Sequence, residues 1–478
     1  MAACLLGAAP LAYAEQPAQS ESRATREEVR TGARAAREVE QRIGLVRDPE
    51  LNAYVARIGA RLAEHSPRPD LSYRFQIVDM PETNAFALPG GHIYVSRGLL
   101  AMANSEDELA NVLAHEIGHV AARHHAGRQK RSQRAGLLSA LGTLAGAVLG
   151  GPEAARAAGA LAQLAGQGFV ASYSREQERE SDRIGQDLAA RAGWRPQAMA
   201  AFLDTLRRES ELRPGSSRAP SFLDSHPSTP ERVISAMRRA RGLKVAPAEP
   251  IAHTRGDYLE RVRGLLIGDD PAEGIFDGRD FLHADLDLHL RFPLEWPRTN
   301  AETQVAAVSP RRDALLSLEL DGEGGDPRRT ARRWLSENTV RVLRQGPLRI
   351  NGLRAYRVIA DSQGSVAYLT WIAHSDGWIY RVTGLSQARL AARYRALFER
   401  TANSFRGLTD AERRLFRLRT LQIETARPGE TFRQLARRTG NAWSPALTAA
   451  ANARPEHALL PEGMPVKIAV DRPYPSGG

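Results

Sequence analysis

The sequence predicts an α+β protein of about three domains, on its length and on two changes of pattern along the chain. Helical periodicity with explicit capping residues runs through the first 245 or so of its 478 residues. Strand-like alternation takes over between about 270 and 408, and a strand-helix-helix-strand order closes the chain between about 420 and 470. Apolar residues at 42% and charged residues at 25% are a globular balance, which excludes a mostly disordered or wholly membrane-embedded chain. The net charge of +11, from 66 basic against 55 acidic residues, is almost entirely arginine, because Lys130, Lys244 and Lys467 are the only lysines. Those arginines read as scattered among glutamates on helices, without a nucleic-acid-binding motif or interleaved aromatics, so no nucleic-acid partner is expected.

Residues 1–14 form a short apolar run ending in Ala12-Tyr13-Ala14, the small-x-small pattern of a signal-peptide cleavage site, although the usual basic start is missing. Export from the cytoplasm is therefore expected. The single cysteine, Cys4, falls in this segment. A chain without it suits an oxidising compartment and excludes cysteine nucleophiles and thiolate metal ligands.

From Glu27 to about Glu64 the pattern is helical, with Asp48-Pro49 as a cap followed by proline at the first helical position, and with Leu51, Tyr54, Val55, Ile58 and Leu62 on one face. Tyr73 to Asp79 alternates like a strand, and a second strand, His92 to Ser96, follows a turn at Pro89-Gly90-Gly91. Ser105 and Glu108 have the spacing of a capping box, which predicts a helix from about Glu106 to His125. Residues 127–170 begin with basic residues and continue as a Gly/Ala/Leu tract. Its longest apolar run, Leu137 to Leu149, is well short of the roughly 20 residues that cross a bilayer, so no transmembrane helix is expected there. A helical hairpin, a lid and a membrane-touching element all stay open. A linker, Val245 to Ile251, leads to the region 270–408. There the alternating segments Leu286–Phe292, Val366–Ile372 and Trp378–Val382, with a helix near Ala388–Thr401, make an α+β domain without ligand spacing.

The chemistry is concentrated in His115-Glu-Ile-Gly-His119. Two imidazoles four residues apart share a helix face and suit two bonds to one metal, while Glu116 points elsewhere and can take a proton from the attacking water. A catalytic zinc needs a third protein ligand. Beyond the Gly/Ala tract, Ser174 and Gln177 form another capping box and start a helix on which Glu178 and Asp182 share a face. Glu178 could bind the metal and Asp182 could accept from the outer N–H of a ligand histidine. Glu176 and Glu180 compete on paper, but two positions along a helix turn a side chain by about 200°.

Four segments together resemble the HtpX/BepA-type family of gluzincin metallopeptidases in its periplasmic branch. They are Asn84 to Val95, the HEIGH motif, Ser174 to Asp182, and His226-Pro with Pro230-Glu-Arg232. The resemblance runs from about Arg37 to Met237 and implies a mainly helical zincin-type domain with a small sheet, over 27–245. It implies one Zn2+ per chain held by His115, His119 and Glu178, with Glu116 as general base and Asp182 supporting a ligand. Asn84, Gly90 and Gly91 fall on what would be the substrate-binding edge strand, and His226 on a loop near the metal, where it would cap the open position or stabilise the oxyanion. Ser181 departs from the alanine usual in the family. The implied substrates are misfolded or unassembled envelope proteins, cut outright or held by an assembly factor with latent proteolysis, with outer-membrane assembly machinery as a further partner. The last segment, from Arg427-Pro-Gly-Glu-Thr-Phe-Arg-Gln-Leu-Ala436 through Ala451-Asn-Ala-Arg-Pro455 to Leu460-Pro-Glu-Gly-Met-Pro-Val-Lys-Ile468, is similar to a LysM module, which implies either peptidoglycan as a partner or packing against a neighbouring domain.

Overall fold

The structure is a computed structural model. It describes residues 17–475 except 126–171, 213–220, 228–229, 302–303 and 363. The signal-like segment 1–14 and the tract 127–170 lie outside the described residues.

Helix α1 (Pro17–Arg42) precedes α2 (Pro49–Ala63), which starts where the sequence places it: the Asp48 carboxylate accepts the Leu51 N–H at 2.9 Å and Pro49 enters the first turn. The predicted apolar face of α2 is buried. Strands β1 (Arg74–Val78), β2 (Ala85–Leu88) and β3 (His92–Ser96) form a sheet in the order β1-β3-β2, with β1 parallel and β2 antiparallel to β3. Only four residues long, β2 shows too little alternation to announce itself. It is an edge strand and packs along α4 (Glu106–Ala121), which follows the short α3 (Arg97–Met102).

Two expectations about α4 need correction. Ser105 caps it as predicted, but the Glu108 carboxylate accepts from the Asn104 N–H at 2.7 Å, so the box is only half formed. The helix also ends at Ala121 rather than His125, because Arg123 adopts φ 54°, a left-handed conformation that stops an α-helix. That turn sends His124 back towards α4.

Helix α5 (Arg175–Arg191) begins with the complete Ser174/Gln177 capping box, and α6 (Ala198–Glu211), α7 (Pro230–Ala240) and α8 (Arg255–Arg261) follow. The stretch predicted as a linker is tied down. Ile251 and Ala252 donate their N–H groups to buried Glu106 at 2.9 and 2.5 Å, and the Tyr258 hydroxyl donates to the Leu100 carbonyl at 2.8 Å.

The central region opens with the three-stranded sheet β4 (Ile275–Asp277), β5 (Asp280–His283) and β6 (Leu288–Arg291). A seven-stranded antiparallel sheet follows, from β7 (Arg298–Ala301), β8 (Gln304–Val308), β9 (Ala314–Glu323), β10 (Arg341–Ile350), β11 (Leu353–Ser362), β12 (Ser365–Ala373) and β13 (Trp378–Gln387), in the order β10-β11-β12-β13-β9-β8-β7. Helix α9 (Pro327–Glu337) packs on β11 and β12, burying Trp334 against Trp371, and α10 (Ala391–Asn403) packs on β12 and β13, with Phe398 against Tyr368.

The chain closes with β14 (Arg417–Thr425), α11 (Phe432–Thr439), α12 (Pro445–Ala451) and β15 (Pro465–Pro473), the strand-helix-helix-strand order read from the sequence. Its own core is small. Leu421, Ile423, Ala451 and Ala469 are instead buried in the same core as α2, α4 and α6. Lys467 is fully buried and donates to the carbonyls of Ala101, Met102 and Ala103 at 2.8–2.9 Å, satisfying the C-terminal end of α3.

Candidate metal centre

Helices α4 and α5 approach closely because each presents a glycine at the crossing. A Cβ on Gly118 would stand 2.9 Å from the Ser181 carbonyl oxygen, and one on Gly185 would stand 2.9 Å from the His115 nitrogen. The Ser181 hydroxyl fits this tight contact and donates to the His115 carbonyl at 3.2 Å. This crossing brings Glu178 and Asp182 of α5 against the histidines of α4.

The donor atoms of His115, His119, Glu178 and His226 all lie within 4.8 Å of one another, and all four residues are buried. His115 Nε2 is 3.0 Å from His119 Nε2 and 3.6 Å from Glu178 Oε2, and His119 Nε2 is 3.3 Å from Glu178 Oε1. Vertices of a tetrahedron with arms of about 2.1 Å stand about 3.4 Å apart, so these spacings fit one zinc-sized ion with N, N and O donors. His226 Nδ1 completes the group, at 3.2 Å from His115 Nε2 and 3.0 Å from Glu178 Oε1. Its ring stacks on Phe222. The helical turn Phe222–Ser225 is anchored by the Phe222 N–H donating to the Thr83 carbonyl, next to β2. Glu116 is fully buried, and neither of its carboxylate oxygens makes a hydrogen bond among the described residues, although His226 Nε2 lies 3.5 Å from one of them.

The outer nitrogens of the two α4 histidines are both held. His115 Nδ1 meets Asp182 Oδ1 at 2.9 Å. Asp182 is gripped in turn by Arg232, whose Nε and Nη2 lie 2.7 and 2.8 Å from its two oxygens and whose Nη1 is 2.5 Å from Glu178 Oε2. Burial pushes the Asp182 carboxyl up, but the Arg232 charge outweighs it and leaves Asp182 below its ordinary value. Burial raises Glu178 as well, yet the surrounding histidines hold it far below the usual carboxylate range. Burial alone would lower His115, and its hydrogen bond to Asp182 and the Glu178 charge reverse the direction, whereas burial drives His119 well down. His119 Nδ1 meets His124 Nδ1 at 2.9 Å, and His124 Nε2 meets Glu180 Oε2 at 3.3 Å. The Tyr173 ring stacks on His119 with centroids 3.8 Å apart.

The structure therefore gathers His115, Glu116, His119, Glu178, Asp182 and His226, while Glu176 faces solvent. It does not bring Gly90 and Gly91 into the cluster. They form the turn between β2 and β3 at φ 79° and 91°, and a Cβ on Gly90 would stand 2.8 Å from Val29 Cα of α1. Asn84 is buried just before β2, with its N–H on the Ser96 hydroxyl and its carbonyl on the Ser96 N–H. On the sequence alone, Arg232 has no role in the site, His124 is only a favourable charge at a helix end, and Glu180 is only a competitor of Glu178. The only available signal for Arg232 was its place in the Pro-Glu-Arg segment.

Residues 49–240 match Peptidase family M48. The chain is 32% identical over 300 residues to the beta-barrel assembly-enhancing protease of Escherichia coli (strain K12), covering 62% of this chain and 57% of that protein. It is 35% identical over 233 residues to the protein of the same name from Yersinia pestis, covering 47% and 46%. It is 34% identical over 182 residues to the mitochondrial metalloendopeptidase OMA1 of Schizosaccharomyces pombe, covering 38% and 50%. The chain spans about half the length of these curated relatives.

Proposed function

From the match of residues 49–240 to Peptidase family M48, we propose that the protein is a zinc-dependent metalloendopeptidase of the cell envelope. The observation that carries this reading is the convergence of three donors from two helices at tetrahedral spacing beside a buried, unbonded carboxylate. His115, His119 and Glu178 would hold the metal. A zinc ion bound there supplies Lewis-acid polarisation of the scissile carbonyl and acidifies the attacking water. Glu116 takes the proton from that water and returns it to the departing amine. Asp182, held by Arg232, keeps the His115 proton on Nδ1 and so leaves Nε2 free to coordinate. An extended substrate adds to the free edge of β2 by backbone pairing, with Asn84 at the start of that edge. Gly90 and Gly91 set the turn that keeps β2 on β3.

His226 stands where a fourth ligand would, which favours a resting state in which it closes the open position and proteolysis is latent. Replacement by alanine then raises peptide hydrolysis; a fall supports oxyanion stabilisation instead, and no change removes both roles. The bacterial relatives are named beta-barrel assembly-enhancing proteases, which supports β-barrel proteins under assembly as substrates, and the signal-like start of the sequence supports a location in the cell envelope. The C-terminal unit buries its strands against the first region, which favours a structural role over a free peptidoglycan-binding module.

Casein cleavage, measured with and without a chelator, tests the enzyme reading. Glu116→Gln should lower turnover by about 10²–10⁴-fold while the purified protein keeps about one zinc per chain. Chelator-resistant cleavage, or full activity in Glu116→Gln, would refute it.

A further inference from the structure

The arginines are not as evenly scattered as composition suggests. Residues 326–357 hold nine arginines against two carboxylates, Asp326 and Glu337, so this short stretch supplies seven of the chain's net +11 charges. Among the described residues only Arg341 of these nine has an ion-pair partner, Asp361. Helix α9 buries Thr330, Ala331 and Trp334 and turns Arg328, Arg329, Arg332 and Arg333 to solvent.

Two features of this face oppose stability. Arg328 and Arg329 occupy the first turn of α9, where the capping carboxylate of Asp326 accepts their N–H groups but two added positive charges stand at the helix end that disfavours them. Arg349 and Arg354 stand directly opposite each other across β10 and β11, both exposed, and like charges in that position repel. Arg354 belongs to the same surface as α9, because its guanidinium lies against Gly325 at the entrance to that helix. At the other end of β10, Val342 and Leu343 are 37% and 50% exposed.

We propose that this face of the central region docks on an anionic lipid surface. Guanidinium groups match phosphate oxygens in geometry and charge, and an anionic surface relieves both repulsions at once. The charges are spread over a helix flank and a strand pair, which suits a planar array of headgroups, and Val342 and Leu343 supply apolar contact at its border. Single-stranded nucleic acid would need exposed rings for stacking, and Trp334 and Tyr356 are buried. The inference is independent of the metal centre.

Co-sedimentation at low ionic strength tests it, comparing phosphatidylcholine vesicles with and without phosphatidylglycerol. The wild type should bind only the anionic vesicles and release them as salt is raised. The fourfold variant Arg328→Gln/Arg329→Gln/Arg332→Gln/Arg333→Gln should lose binding by on the order of a hundredfold or more, at about fivefold per arginine. Arg47→Gln/Arg57→Gln/Arg433→Gln/Arg437→Gln removes the same charge elsewhere on the exposed surface and should stay within a few-fold of wild type. Arg349→Gln/Arg354→Gln leaves α9 intact and should weaken binding while melting no lower than wild type. Absence of binding to anionic vesicles, equal losses in the two fourfold variants, or capture of polyglutamate without capture of vesicles would each overturn the proposal.

Discussion

His115 and His119 lie one turn apart on α4 and face the same cluster, but the chain supports their outer nitrogens by different means. Behind His115 stands a buried ion pair, Asp182 with Arg232, and the same guanidinium also reaches Glu178 and the carbonyls of His226 and Pro227. Behind His119 stands His124, whose burial lowers its pKa despite the attraction of Glu180. Glu180 itself is 49% exposed. One support is charged, dry and shared by several groups of the site, and the other is a short relay that ends in water. A buried pair loses heavily when one partner is removed, because the other charge is stranded, whereas a neutral relay that reaches solvent can substitute water for a lost partner.

This contrast predicts unequal costs. The largest effect is expected for Arg232→Met, which strands Asp182 and Glu178 and should destabilise the protein by about 3–5 kcal/mol in chemical denaturation. A loss below about 1 kcal/mol would show that the pair does not hold the site together.

His124→Ala should leave the fold intact and weaken zinc binding by about tenfold, the low end of the range for residues that support metal ligands, as read by chelator competition. His124→Gln should recover most of that loss, since an amide can accept from His119 Nδ1 and donate to Glu180. Equal weakening in the two variants would mean that His124 only fills space.

The smallest effect separates the two supports by pH, in metal-stripped protein unfolded by urea. The folded-state pKa of His124 lies below its ordinary 6.5, so beneath pH 6.5 the unfolded chain binds more protons and stability falls on acidification. His124→Gln should make that slope shallower. The Asp182 carboxyl is depressed below 3.8, so its contribution is complete above that value and is lost only as the pH drops further. Asp182→Asn also acts through His115, whose pKa that carboxylate helps to hold up; without it burial lowers His115, so stability should fall more steeply on acidification below pH 6.5. A shallower slope in Asp182→Asn, or a steeper one in His124→Gln, would reverse the assignment of the two supports.

The sequence by itself determined whatever depends on neighbours a few residues away. Two histidines at i and i+4 share a helix face, as do Glu178 and Asp182, and the caps at Asp48 and Ser174 start their helices where side chains meet backbone donors three residues on. Strand alternation likewise located β12, β13 and β15, and the resemblance of four segments named the cluster that the fold assembles.

Only the tertiary structure decided which outer partner each histidine receives. Arg232 reaches Asp182 across fifty positions of sequence, and Lys467 reaches the end of α3 across more than three hundred and sixty. No local period encodes such distances. Helix α5 seats at its register on α4 because Gly118 and Gly185 let the backbones touch, and His124 returns to His119 because Arg123 takes a left-handed turn. Those are steric consequences of packing, decided where chain segments remote in sequence meet.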